Sequence, residues 1–182
     1  MSEESTRPFK GEVPETSDLD TEAEKAADQH LLADLRVRQY TMAAMAVGLV
    51  PVPLVDLAGL FAIQVKLLHS LARAYGVPFR ADLGRAAIAS LVGGAIPVSS
   101  APTLGASLGK VIPGYGQTVA TGTLVVLNGA VTYALGKVFI QHFASGGTLL
   151  TFDPEAVREY FKDQLAQGRE HATRMRGNKE SR

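Results

Sequence analysis

The sequence contains no cysteine among its 182 residues, and this absence removes several classes of function. Disulfide-stabilised scaffolds, zinc sites built from thiolates and enzymes with a cysteine nucleophile all require that side chain. The formal net charge is zero, so no global excess of positive charge points to nucleic acid. A chain of this length is nevertheless long enough to form one domain with a hydrophobic core.

Charged side chains are scarce in the middle of the chain. Residues 1–41 carry ten acids and five bases, and residues 153–182 carry six acids and seven bases. Between residues 88 and 141 only Lys110 and Lys137 are charged. The first 30 residues contain no apolar run of the kind found in secretory signals, so we expect the chain to begin in the cytoplasm.

The longest apolar stretch runs from residue 118 to residue 140, and Lys137 is its one charge. These 23 residues are enough to cross a bilayer core as a helix, which needs roughly 20. Gly122, Gly129 and Gly136 recur within it every seven residues, about two helical turns, so they lie on one stripe. Small residues on one stripe let a second helix pack at short range. We predict a glycine-lined helix that either spans a membrane or forms the buried core of a soluble protein.

Helical periodicity and helix breakers predict an all-α fold with about six helices around a glycine-rich central bundle. The other five helices are predicted at 18–48, 54–75, 81–94, 101–111 and 153–172. Two helix–proline–helix corners, at Pro51 and Pro113, shape the chain. Leu31, Leu32, Leu35 and Met42 give the first helix an apolar face, and Gly105 and Gly109 form a GxxxG pair in the fourth.

Composition divides the chain into four parts. Residues 1–17 are predicted to be a disordered acidic tail, because their hydrophobicity is low and they contain two prolines. Residues 18–147 form the helical domain and residues 148–172 a C-terminal amphipathic helix. Asp153 is the expected N-cap of that helix, with Pro154 at its first position. Residues 173–182 are expected to be a basic polar tail.

Asp56 stands in the first turn of the second predicted helix. A carboxylate there is expected to cap the free backbone N–H groups, and a functional carboxylate is the alternative. A basic side chain arriving from elsewhere could pair with it instead, and Lys110 is the candidate because it precedes the matching Pro113 corner.

The same helix carries a basic face. Lys66, His69 and Arg73 are spaced at i, i+3 and i+7 and therefore lie on one side. Four basic side chains would face the cytoplasm and anionic lipid headgroups, or form an ordinary solvated surface: Lys66, Arg73, Arg80 and Arg85.

Motifs for catalysis or cofactor binding are absent from the sequence. The four histidines have no metal-ligand spacing to a second ligand, and no hydrolase or paired-carboxylate signature occurs. The nearest approach to a phosphate-binding loop is Gly105-Ala106-Ser107-Leu108-Gly109-Lys110-Val111. It has one residue too few between its glycines and a valine where the magnesium-binding hydroxyl belongs. We therefore predict no catalytic, cofactor-binding or metal-binding residues.

Two stretches of the chain resemble the bacterial domain of unknown function 697. The first runs from Pro51-Val52-Pro53-Leu54-Val55-Asp56 through Ile63-Gln64 to Leu71-Ala72-Arg73-Ala74-Tyr75-Gly76-Val77. The second is Lys110-Val111-Ile112-Pro113-Gly114-Tyr115-Gly116 followed by Tyr133-Ala134-Leu135-Gly136-Lys137. The resemblance covers about residues 30–145. It implies a membrane protein that accompanies small Era-like GTPases, although this chain has no GTPase half, and it implies no catalytic residues.

Three functions remain open from the sequence. The first is a non-enzymatic membrane adaptor or regulator of a partner, such as a small GTPase, at the bacterial inner membrane or its cytoplasmic face, with both tails cytoplasmic. The second is a soluble helical module that binds a hydrophobic ligand or a partner helix in its glycine-lined core. The third is a membrane scaffold or pore-like homo-oligomer that self-associates through the glycine stripe.

Overall fold

The computed structural model describes residues 16–49, 55–95 and 116–180, and it contains five α-helices and no β-strand within them. The helices are α1 (Thr16–Val47), α2 (Val55–Ala74), α3 (Ala81–Ala95), α4 (Gly116–Ala144) and α5 (Arg158–Glu180). The predicted all-α class is confirmed for this part of the chain. The sixth predicted helix, at 101–111, and the corners at Pro51 and Pro113 lie outside the described residues.

The bundle is built around α4. Helices α1 and α5 pack along it, and α2 makes a smaller contact. Its buried side chains join residues from the four other helices in one hydrophobic core. Among the described residues, Gly122–Ala144 is the one stretch long and apolar enough to cross a membrane by length and composition, and 67% of its most apolar part is buried inside the structure.

The face of α1 that enters the core differs from its most apolar face. Its buried residues are Ala33, Val37, Thr41, Ala44 and Met45. Leu31, Leu32, Leu35 and Met42, the apolar face noted in the sequence, are instead between 48% and 61% exposed. This inward face meets the glycines of α4, where Val37 lies against Gly136 and Met45 against Gly129.

A glycine ends α2, one residue from the predicted boundary at residue 75. Gly76 has a φ of 67°, the left-handed conformation that glycine adopts without strain. The N–H of Val77 donates to the carbonyl oxygen of Ala72 at 2.8 Å, which is the long-range bond of a Schellman cap. The chain then turns into α3.

Helix α5 begins later than predicted. Oδ1 of Asp153 accepts a hydrogen bond from the N–H of Glu155 at 2.9 Å, as an N-cap would, but residues 154–157 form a turn. The N–H of Arg158 donates to the carbonyl oxygen of Glu155, three residues earlier, at 3.3 Å. This first turn is therefore tighter than an α-helix, and the regular helix starts at Arg158.

At its other end α5 continues to Glu180, so it includes residues that were expected to lie in the polar tail. Packing explains the extension, because Met175 contacts a small core cluster formed by Met45, Val125 and Ala172. Arginine, alanine and methionine also favour helix continuation.

Candidate functional site

Helices α1 and α2 form an antiparallel hairpin. Nε2 of Gln29 donates to the carbonyl oxygen of Ala74 at 2.5 Å, and Nη1 of Arg36 donates to that of Ser70 at 2.6 Å. These two bonds fix the register of the hairpin, so residues of α1 and α2 that are distant in sequence face each other across it.

A cleft of about 610 Å³ opens between the two helices. Its lining residues are Arg36, Gln39 and Tyr40 from α1, and Lys66, His69, Ser70 and Arg73 from α2. Every one of them carries a polar group, three are cations, and none is a carboxylate. We call this site the basic cleft.

The three cations of the basic cleft, Arg36, Lys66 and Arg73, take part in none of the ion pairs of the described residues. On one wall the ring of His69 stacks on Phe79, with 4.6 Å between centroids and 11° between planes. The cleft is therefore suited to hold an anion by charge and by hydrogen bonds.

The same hairpin carries most of the exposed apolar surface. Seven large apolar side chains are exposed among the described residues, and six of them lie on α1, on α2 or in the turn after α1: Leu31, Leu32, Leu35, Met42, Leu49 and Leu57. Three of these, Leu31, Leu35 and Met42, follow one another at intervals of four and seven residues and so form one stripe on α1, and Leu49 lies in the turn beyond its end. We call Leu31, Leu35, Met42 and Leu49 the apolar stripe; its part on α1 extends over about 17 Å.

The structure brings together part of the basic face predicted from the sequence. Lys66, His69 and Arg73 line one cleft, whereas Arg80 pairs with Asp82 at 2.7 Å outside it. Hydrogen bonds from the Arg80 side chain and from backbone N–H groups hold the pKa of the Asp82 carboxyl below its usual value.

Several other predicted residues lie beyond what the structure describes. Asp56 belongs to the first turn of α2, but only its backbone is described. Its capping role remains a prediction. The residues Pro51, Gly105, Gly109, Lys110 and Pro113 fall outside the described ranges.

Two glycines of the predicted stripe face α1. A Cβ added at Gly136 would lie 2.5 Å from Cγ2 of Val37, and one added at Gly129 would lie 2.6 Å from Cγ of Met45. Real Cβ atoms essentially never approach that closely, so α1 lies where a side chain at either position would be.

Helix α5 also approaches α4 at glycines. A Cβ at Gly122 would lie 2.5 Å from Nη1 of Arg176, and one at Gly168 would lie 2.7 Å from the carbonyl oxygen of Ala130. The three glycines of the stripe thus contact two different helices: Gly129 and Gly136 contact α1, and Gly122 contacts α5. Gly168 lies on α5 itself and lets that helix approach the backbone of α4.

Arg36 is the residue of the cleft that sequence reasoning missed. It lies between Asp34 and Arg38 in α1, where charged residues resemble ordinary solvated surface. Its place beside Lys66 and Arg73 follows only from the register of the hairpin. The exposed apolar stripe was visible as a pattern, but its outward direction was not.

No group of three or more histidine, aspartate or glutamate side chains that could hold a metal ion occurs in the ranges the structure describes. Four polar atoms are buried there without a hydrogen-bond partner: Oγ1 of Thr41, the hydroxyl of Tyr75, Nδ2 of Asn128 and Oγ1 of Thr132. Burial, and then the negative charge of Asp34, raise the pKa of the Tyr75 hydroxyl above its usual value.

Comparisons with known proteins place these observations in context. The sequence profile of a family described as Domain of unknown function (DUF697) matches residues 16–170. Magnetosome membrane protein 22 of Magnetospirillum gryphiswaldense is 38% identical over 151 residues, which are 83% of this chain and 77% of that protein. No solved structure matches.

Proposed function

The chain belongs to the DUF697 family, and from that membership we propose that it is a non-enzymatic, membrane-associated adaptor that recruits a protein partner. It docks on the cytoplasmic face of the bacterial inner membrane through the α1–α2 hairpin. The relative from Magnetospirillum gryphiswaldense is named as a membrane protein, which supports the association.

One observation carries the proposal: the apolar stripe and the basic cleft share the same hairpin. Exposed leucine side chains enter the acyl region of a bilayer, while neighbouring cations attract anionic headgroups. Each large apolar side chain contributes up to about 1.5–3 kcal/mol on full burial, and each cation about 1 kcal/mol. Four apolar side chains and three cations are therefore enough for reversible docking.

Docking of the folded bundle on the membrane surface fits this fold better than a membrane-spanning α4. The one stretch with the length and apolarity of a membrane span is mostly covered by other helices. Exposing it to lipid would mean removing α1 and α5 from close contacts at Gly136, Gly129 and Gly122. The bundle therefore stays folded on the membrane surface, with α4 as its core.

The start of α1 offers a place for a protein partner. Residues 20–28 are exposed on every side and include four acids, Asp20, Glu22, Glu24 and Asp28. An exposed helical segment with four acids is a surface that another protein can contact. A partner with a basic surface fits it, and family resemblance suggests a small GTPase.

The other two functions considered from the sequence have less support. Binding of a ligand in the glycine-lined core needs space beside the glycines, and Val37, Met45 and Arg176 already fill it. Self-association through the same glycines would first require α1 to leave Gly129 and Gly136.

Vesicle flotation tests the docking. We expect the full chain to float with vesicles that contain anionic lipid and the Leu35→Glu/Met42→Glu double variant to remain in solution. Both residues are about half exposed, so thermal stability should change little. The matched control is Leu150→Glu, because Leu150 is 75% exposed but lies between α4 and α5.

Each outcome of the flotation experiment supports or contradicts docking through the hairpin. If the control floats and the double variant does not, the hairpin is the docking surface. If wild-type protein stays in solution with every vesicle, the docking proposal is wrong. If all three proteins float equally, another part of the chain binds the membrane.

A further inference from the structure

We propose that the basic cleft binds a phosphomonoester, the dianionic phosphate group at the end of a lipid headgroup. This inference rests on the proposed membrane association and adds the class of lipid that the site selects. It identifies a ligand-binding site in the α1–α2 hairpin rather than a merely basic surface.

The donor set of the cleft matches phosphate. Two of its three cations are the guanidinium groups of Arg36 and Arg73, whose planar forks bind phosphate oxygens in pairs. Arg36 is held in place by its bond to the carbonyl oxygen of Ser70, so part of its fork is ordered before any ligand arrives. Lys66 adds a point charge on the opposite helix.

Charge favours a monoester over a diester. Three cations without a carboxylate among the lining residues are better balanced by about two negative charges than by one. A terminal phosphate also offers three acceptor oxygens, and the neutral donors Gln39, Tyr40 and Ser70 are available beside the cations. A phosphodiester offers one charge and two free oxygens.

The size and position of the cleft indicate that the phosphate is attached to a lipid. Its volume of about 610 Å³ is larger than one ion needs, and the cleft is open to solvent. Gln39 is four residues from Leu35 and three from Met42 in α1, so the edge of the cleft at Gln39 adjoins the apolar stripe, while Arg36 and Tyr40 face roughly 100° or more away from it. A headgroup in the cleft therefore reaches the apolar stripe with its acyl chains past Gln39.

The test compares two anionic lipids at equal surface charge. Phosphatidylcholine vesicles contain either phosphatidic acid, which ends in a phosphomonoester, or phosphatidylserine, which does not. We expect the full chain to bind the phosphatidic acid vesicles at least about fivefold more tightly, the effect of roughly one additional charge interaction.

Two double variants separate recognition from general attraction. Lys66→Gln/Arg73→Gln removes two charges from the cleft, and Arg80→Gln/Arg85→Gln removes two charges outside it. Both should weaken binding to all anionic vesicles, by up to about fivefold per charge. Only the cleft variant should lose the preference for phosphatidic acid. Thermal unfolding checks that both variants are folded.

A soluble arm distinguishes the source of the phosphate. Glycerol 3-phosphate is titrated into the protein and followed by NMR of the His69 and Arg73 signals. We expect weak binding at the cleft, in the millimolar range, that competes with the phosphatidic acid vesicles. If glycerol 3-phosphate binds as tightly as the vesicles do, the site takes a free phosphate and the lipid assignment is wrong.

Three further outcomes of the vesicle experiments would contradict the phosphate site, its place in the cleft, or the docking. Equal binding to both anionic vesicles overturns the phosphate site but leaves membrane docking intact. Loss of the preference in both double variants overturns the assignment to this cleft. Failure of the wild-type protein to bind any vesicle overturns the docking proposal itself, together with this inference.

Discussion

Lys137 of α4 forms an ion pair with Asp34 of α1, with 2.8 Å between Nζ and Oδ1. Nζ also lies 5.7 Å from the centroid of the Tyr133 ring. The side chains are 26% and 44% exposed, so the pair is partly shielded from water. The one charge in the apolar stretch of α4 is thus neutralised inside the protein by a helix more than a hundred residues earlier in the chain.

Breaking this pair should destabilise the fold moderately. We expect Lys137→Met and Asp34→Asn to lower the free energy of unfolding by about 1 kcal/mol each, between the values for exposed and buried pairs. The double variant should lose less unfolding free energy than the two single variants together, because neither partner is then left unpaired. Urea unfolding of the four proteins measures the coupling, and strictly additive losses would show that the pair contributes nothing.

The stability lost when a glycine of α4 is replaced should depend on the side chain that lies against that glycine. Gly136→Ala places a methyl group against the β-branched Val37, and we expect a loss of about 1–3 kcal/mol. Gly129→Ala should cost less, because the flexible Met45 can move. Gly93→Ala in α3 is the control, since nothing lies within 4 Å of its added Cβ, and it should stabilise by up to about 1 kcal/mol. Equal effects at all three positions would contradict the close packing of α1 on α4.

Replacing either of two buried threonines with valine should make the protein more stable. Oγ1 of Thr41 and Oγ1 of Thr132 are buried without a partner, and an unpaired buried hydroxyl costs about 1–3 kcal/mol. We expect Thr41→Val and Thr132→Val to raise the melting temperature, because valine has nearly the same shape. In the control Thr173→Val, a bond of 2.7 Å to the carbonyl oxygen of Arg169 is lost, so no gain should follow. A clear loss of stability at Thr41 or Thr132 would reveal an internal water that bonds the hydroxyl.

His171 should make the protein less stable in mild acid. Burial lowers the pKa of its imidazole, and the charges of Arg38, Arg174 and Lys137 lower it further. The unfolded chain, with a histidine pKa near 6.5, therefore binds the proton more readily than the folded protein does. The stability that His171 contributes is complete above that pH and is lost as the pH falls below it. We expect His171→Gln to reduce the drop in melting temperature between about pH 7 and pH 5; an equal drop in both proteins would contradict this.

Local signals in the sequence predicted much of the fold. Gly76 marks the end of α2, and the bounds of α2 and α3 follow from prolines, glycines and apolar spacing. Asp153 marked a cap correctly but not the start of the regular helix, because a tight turn and an α-helix share the same capping residue. Which helices touch could not be read from local signals.

Only part of the candidate site could be predicted from the sequence, for the same reason. Lys66 and Arg73 share a face by spacing within one helix, and that information is local. Arg36 joins them through the register of a hairpin, which depends on how both helices pack against α4. The direction of the apolar stripe on α1 was hidden too, since it depends on which face of α1 packs against the glycines of α4.

The burial of α4 by α5 has a consequence during protein synthesis. The ribosome completes α4 before any of α5 exists, and at about 5–20 residues per second the interval lasts on the order of a second or longer. For that time the side of α4 that α5 later covers has no partner, and the nascent chain presents a segment as apolar as a membrane span. Targeting to the membrane during translation and a buried α4 in the finished protein are therefore compatible in one sequence.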